Sequence, residues 1–178
     1  MGTSQVIVME YDPSWQTEYE SEKARILAAL AGESIWVEHI GSTSVPGLAA
    51  KPIVDIAVGV AHLSIADAFI QPLAAIGYEY VPKPEFPPRR FFRQGEWGKG
   101  THHLHVYEIG SEEWKGNLLF RDSLRSDPGL RRQYAELKAD LASRHPDDRA
   151  AYTAHKGPFI RTVMERAGKQ AQGRVTNP

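Results

Sequence analysis

Apolar positions along this chain change their rhythm near residue 110. Before it they come in short runs of four to eight, separated by Gly, Pro and Ser, the signature of strands and turns. After it they recur every three or four residues, the signature of helices. Val6 to Met9 is a short apolar run and predicts a strand. Asp12-Pro13 reads as an N-cap with Pro at the first helical position. Trp15, Tyr19, Ile26, Leu27 and Leu30 then keep helical spacing until Gly32. Ile35 to Ile40 and Ile53 to Val60 predict strands flanking a Gly41–Lys51 loop. Ser64 caps an expected helix with Ile65, Phe69, Leu73 and Ile76, stopped at Gly77 and kinked or shortened by Pro72. Tyr78 to Val81 predicts a strand. Pro82 to Pro88 holds four prolines and predicts a stiff extended loop. Arg89–Arg93 and Thr101–Tyr107 predict a hairpin across Gln94–Gly100.

Three helices are expected after Ile109. Ser111, Asp127-Pro128 and Asp147-Asp148 open them, and Trp114, Leu118, Tyr134, Leu141, Tyr152 and Val163 fall on their apolar faces. The expected architecture is α+β: a small mixed sheet flanked by helices, with C-terminal helices. One domain is expected over 1–178. Residues 1–110 hold the sheet with two helices, 111–172 the helical part, and 173–178 a frayed tail.

The 178 residues suffice for a real hydrophobic core. A net charge of −1 gives no global pull toward nucleic acid or an anionic membrane, so any anion site must be local. Neither partner is expected. The absence of cysteine excludes a disulfide scaffold, a thiolate metal site and a cysteine nucleophile, and fits a reducing compartment. With no 18-residue apolar run and no basic-then-apolar leader, the cytoplasm is the expected location.

Candidate chemistry begins with Asp55, alone among β-branched residues in Ile53-Val54-Asp55-Ile56-Ala57-Val58. A carboxylate is almost never buried without a partner. Thirteen positions earlier lies the Gly41-Ser42-Thr43-Ser44 turn, where glycine admits a close ligand and backbone N–H groups can cradle phosphate. Without a ligand, the same residues simply turn the chain and hydrogen-bond Asp55. His103 and His105 would share one strand face about 7 Å apart. If that strand lies beside the Asp55 strand, Asp55, His103 and His105 converge as a metal set, with Glu38 or His39 nearby; otherwise they are imidazoles on a partly exposed face, hydrogen-bonded to their neighbours. Imidazole suits Zn, Mn or Ni better than Mg. Lys51, Arg89, Arg90, Arg93, Lys156 and Arg161 border the loops or the last helix. Each alone reads as a surface charge, and Arg89-Arg90 is the best phosphate-binding pair. Trp97, between Gly95 and Gly98, is either a base-stacking aromatic or simple packing.

The Gly-Ser turn followed by a strand Asp resembles the nucleotidyltransferase signature. That resemblance implies Gly41, Ser42, Thr43 and Ser44 on phosphate and Asp55 on a divalent metal, Mg or Mn before Zn. The signature's second acid would sit two residues on, on the same strand face; here it is Ala57. An acid placed there is expected to share the Asp55 face and strengthen metal binding, at a cost in stability from entering a buried strand.

The block His39–Asp55 resembles more closely the GrpB family, whose domain also occurs fused to dephospho-CoA kinase. Tyr11-Asp12-Pro13-Ser14-Trp15, His103-Leu104-His105-Val106, Leu119–Arg125, Tyr134–Lys138 and Tyr152–Lys156 agree in order along the chain. The resemblance implies a nucleotidyltransferase-like fold. It implies no settled reaction. The Gly41–Ser44 turn, Asp55 and Ala57 lead instead to the expectation of a nucleotide or phosphorylated small-molecule binding protein, with weak or degenerate nucleotidyl transfer. The alternatives are a non-catalytic partner-binding module, or a metal-dependent hydrolase using His103 and His105. No Gly-x-x-x-x-Gly-Lys-Ser/Thr loop occurs, so kinase activity is not implied.

Overall fold

The first helix begins where Asp12 Oδ1 accepts a hydrogen bond from the Ser14 amide at 2.8 Å. The computed structural model describes residues 5–96 and 98–175. Helix α1 (Ser14–Ala29) leads to strand β1 (Trp36–Ile40), a 3₁₀ turn at Ser42–Ser44 and strand β2 (Val54–Val60). A 3₁₀ segment (Leu63–Phe69) runs into the short α2 (Ile70–Ala75). Strands β3 (Glu79–Tyr80), β4 (Arg89–Glu96) and β5 (Lys99–Glu108) follow, then α3 (Glu112–Ser126), α4 (Pro128–Arg144) and α5 (Arg149–Val175).

The five strands form one sheet in the order β1-β2-β5-β4-β3. The β2–β5 pair is parallel and the others are antiparallel. Parallel register sets Asp55 opposite His103 and Ala57 opposite His105. Because side chains alternate between faces, this register decides the two surfaces of the sheet. Val54, Ile56, Val58, Leu104, Val106 and Phe92 face one way and are buried with Trp15, Tyr19 and Ile26 of α1 and Leu73 of α2. Each such side chain contributes on the order of 2 kcal/mol by leaving water. Asp55, Ala57, His103, His105 and Tyr107 face the other way, toward the C-terminal helices.

Those helices start as their caps dictate. Ser111 Oγ accepts from the Trp114 amide at 3.2 Å. Asp127 Oδ1 accepts from Gly129 and Leu130, with Pro128 opening α4. Asp148 Oδ1 accepts from Ala151 at 2.9 Å. Trp114 then seals one end of the polar face. Its ring occupies the space above Gly59, where a Cβ would stand 2.9 Å from Cη2.

Several expectations change. Val6–Met9 forms no ladder among the described residues: Met9 makes an isolated bridge to Ala50, and the Val6 amide donates to Pro146 O at 2.7 Å. The helix expected from Ser64 to Ile76 splits into the 3₁₀ segment and a six-residue α2. Pro72 lies in the first turn of α2, where its missing N–H is no loss. The hairpin strands run longer than expected. The last helix continues to Val175, and Trp97 and residues 176–178 lie outside the described residues. Among the described residues, no helix is long and apolar enough to cross a membrane.

Ala57 bears on the expectation for a second acid. It is fully buried with Ile40, Tyr107 and Trp114, so the neighbouring site on the strand face is apolar and filled. Ala57→Asp is expected to cost about 3 kcal/mol or more. Urea unfolding of the two proteins checks it; an undiminished midpoint would show that the cluster opens to water.

Candidate functional site

The polar face of the sheet and the C-terminal helices enclose a cavity of about 470 Å³. Its floor is Asp55. Gly41 passes directly over this carboxylate with φ +69°, and a Cβ at Gly41 would lie 2.6 Å from Asp55 Oδ2. Both the backbone angle and the contact demand glycine. The turn is then locked by its own hydroxyls and by cations from the helices. Ser44 Oγ donates to Gly41 O at 2.5 Å, and Arg125 of α3 donates to Ser44 O at 2.7 and 2.9 Å. Lys138 of α4 donates to Ser42 Oγ at 2.9 Å and to the Ala49 carbonyl.

Asp55 Oδ1 lies 3.2 Å from His103 Nδ1 and 3.5 Å from His105 Nε2. Burial would raise its pKa; the hydrogen bonds and charges of the two imidazoles outweigh this and hold the carboxyl well below the usual range. Burial pushes His105 down, with Asp55 opposing. The Phe91 ring packs against both imidazoles, at 5.2 Å from His103 and 5.1 Å from His105. Asp55, His103 and His105 each offer a ligand atom, all within 4.8 Å of one another. Two imidazoles and a carboxylate fit a divalent ion such as Mn or Zn better than Mg.

The far wall is cationic. Lys51, Lys138 and Lys156 line the same cavity. Lys51 and Lys156 ride over the Tyr152 ring at 5.2 and 4.6 Å, and Lys138 over Tyr134 at 4.8 Å. Burial pushes Lys138 down to about 7, helped by the charges of Lys156 and Lys51. Burial likewise brings Lys156 to about 8 and lowers Lys51. Among the described residues, the lysines that pair with carboxylates are Lys83 and Lys115, not these three.

The cavity gathers Gly41, Ser42, Thr43, Lys51 and Lys156 from the expected phosphate set, with Arg89 at its rim of β4. It leaves out Ser44, whose hydroxyl is spent on Gly41 O. It also leaves out Arg90, which points to the opposite side of β4 and pairs with Asp67 at 2.9 Å. Arg93 pairs with Glu79. Glu38 pairs with Arg121 at 2.7 Å. His39 lies beneath the sheet, stacked on Tyr19 and bonded to Thr43 Oγ1 at 3.0 Å. Lys138, Tyr134 and Tyr152 were not singled out as site residues. Lys138 did leave a signal, since it occupies an apolar-face position four residues after Tyr134 and three before Leu141.

The family described as GrpB protein matches residues 5–166. The chain belongs to the GrpB family. It is 39% identical over 171 residues to the UPF0157 protein YqkA of Bacillus subtilis, covering 95% of this chain and 49% of that protein. It is 39% identical to the UPF0157 protein PA4798 of Pseudomonas aeruginosa, covering 90% of this chain and 66% of that one. The chain thus spans about half to two-thirds of these relatives. A dephospho-CoA kinase of Mycolicibacterium paratuberculosis matches 88% of this GrpB-family chain at 31% identity, through 44% of its own length. The crystal structure of conserved protein GrpB from Enterococcus faecalis superposes with a TM-score of 0.85 at 39% identity, covering 93% of this chain and 99% of that one. The Cid1 poly(U) polymerase, solved bound to MgATP, superposes with a TM-score of 0.54 at 15% identity over 76% of this chain and 45% of that one. That likeness is one of fold, and it makes the fold nucleotidyltransferase-like.

His39 carries a pH prediction. Burial pushes its imidazole down to about 4; Asp55 opposes this, while Arg125 and Arg121 add to it. The unfolded chain takes up this proton near pH 6.5 and the folded one only near pH 4, so folding stability falls as pH drops through that window. His39→Gln should lose less stability between pH 6.5 and 4 than the parent, by on the order of 2 kcal/mol. Urea unfolding at both pH values measures it. Identical losses in the two proteins would remove His39 from the acid response.

Proposed function

We propose that the cleft binds a nucleotide or another phosphorylated small molecule, and that nucleotidyl transfer by this chain is weak or absent. The observation that supports this most is the set of three lysines without carboxylate partners, facing one cavity beside the Gly41–Ser42 turn and Asp55. Buried cations of one sign repel and lose hydration. A polyanion bound among them removes both penalties and returns full charge to Lys138 and Lys156.

In this reading Lys138 holds the Ser42 hydroxyl in place and, with Lys156 and Lys51, neutralises phosphate oxygens. Arg89 adds charge at the other end of the cavity. Asp55 and His103 would hold a divalent ion, which when bound supplies further charge neutralisation to phosphate. Transfer chemistry of this fold rests on more than one strand carboxylate. Ala57, buried under Trp114, leaves this chain with one on that strand, and that favours binding with little turnover.

A non-catalytic partner-binding module is the second reading, and Ala57 is also the observation that favours it. Thermal and urea unfolding with a panel of nucleoside triphosphates and Mn²⁺ separates the two. Ligand at a hundred times its Kd should stabilise the native state by about 2.7 kcal/mol. Asp55→Asn should remove the metal-dependent part of the rise, and Lys138→Met most of the remainder. No rise with any nucleotide at millimolar concentration would move the assignment to the partner-binding module.

A further inference from the structure

We infer that Arg89 decides which atoms this cleft offers a metal ion, by holding His105 in the tautomer that cannot coordinate through its inward nitrogen. The inference rests on reading Asp55 as the carboxylate that faces a divalent ion.

Arg89 Nη1 lies 3.3 Å from His105 Nδ1. A guanidinium has donors only and keeps its charge. Nδ1 must therefore be the accepting nitrogen. In neutral imidazole the proton then sits on Nε2, the nitrogen that faces Asp55 Oδ1 at 3.5 Å. The three groups form one chain, from guanidinium Nη1 through imidazole to carboxylate, with donors and acceptors alternating.

A metal at His105 Nε2 requires the opposite arrangement. Nε2 must give up its proton, Nδ1 must carry one, and two donors would then meet at the Arg89 contact. Metal-bound histidines almost always donate their other N–H to a carboxylate, a carbonyl or water. Here that nitrogen faces a cation. Arg89 has little freedom to leave. Its guanidinium lies between the Phe86 and Phe91 rings, at 5.0 and 5.3 Å, and it reaches the Tyr107 hydroxyl. Its backbone is paired to Tyr107 in the β4–β5 ladder.

The protein ligands left for a metal are Asp55 and His103. One carboxylate and one imidazole make a weak site alone, completed by oxygen atoms of a bound phosphate. Arg89 thus makes metal binding depend on the phosphorylated ligand and keeps the cleft from trapping a free imidazole-seeking ion.

Co²⁺ titration without nucleotide tests this, followed by visible absorption and calorimetry, with ¹⁵N NMR on the metal-free protein to read the His105 tautomer. The wild-type chain should show His105 protonated on Nε2. Arg89→Met should bind Co²⁺ at least about tenfold more tightly, with absorption bands gained from nitrogen ligation. Adding His105→Gln to that variant should abolish the gain. A His105 proton on Nδ1 in the wild-type protein overturns the inference, even if Arg89→Met fails to fold. So does unchanged Co²⁺ affinity in a folded Arg89→Met. The tautomer is read without any nucleotide, so failure of nucleotide binding and failure of this inference are separate results.

Discussion

A carboxylate set in a β-strand must find compensation, and in this chain Asp55 finds it in the imidazoles of the neighbouring strand. Two imidazoles from the parallel neighbour β5 approach Oδ1, and beside Oδ2 there is room only for a glycine at position 41. Remove the glycine and the loop cannot lie over the acid. Shift the β2–β5 register by one residue and the histidines turn to the apolar face, because side chains alternate along a strand. The β2–β5 register and the glycine at position 41 are both constrained by this one group.

The C-terminal helices serve the same end. Arg121 and Arg125 of α3 and Lys138 of α4 reach back to His39 O, Ser44 O, Ser42 Oγ and Ala49 O. These are backbone and hydroxyl acceptors at the end of β1 and in the loop that covers Asp55. The helices are therefore more than a lid over an apolar surface. They supply the donors that a Gly/Ser/Thr/Pro loop cannot provide for itself, and they leave a cavity whose wall is cationic. Lys138 is buried over the Tyr134 ring at the loop–helix boundary, where its charge is costly unless a counter-ion enters the cavity.

Much of the framework was readable from local signals. Gly41 to Ser44, the Asp55 strand, the His103/His105 strand and the helix starts at Ser111, Asp127 and Asp148 all carry short-range chemistry: turn residues, alternation, caps. Pro72 misled because a proline near the end of an expected helix proved to be at the start of a different one. Arg90 misled because neighbouring residues on a strand point to opposite faces, and pairing Arg89 with Arg90 ignored that alternation. Ala57 was legible as a missing acid, but its burial under Trp114, 57 positions later in the chain, was not.

The sequence by itself determined the parts: an acid in a strand, a glycine turn that could lie close to it, two histidines on one strand face, and helices of known beginning. Those are consequences of residue type and spacing within a few positions. Tertiary structure alone decided that His103 faces Asp55 across a parallel pair, and that Lys138 comes through the helical layer to Ser42, 96 residues away. It also decided that Arg89 meets His105 nitrogen to nitrogen. The reason is physical: hydrogen bonds and charge repulsion act across a few ångströms of space, and sequence separation carries no information about which distant groups a sheet register will bring within that reach.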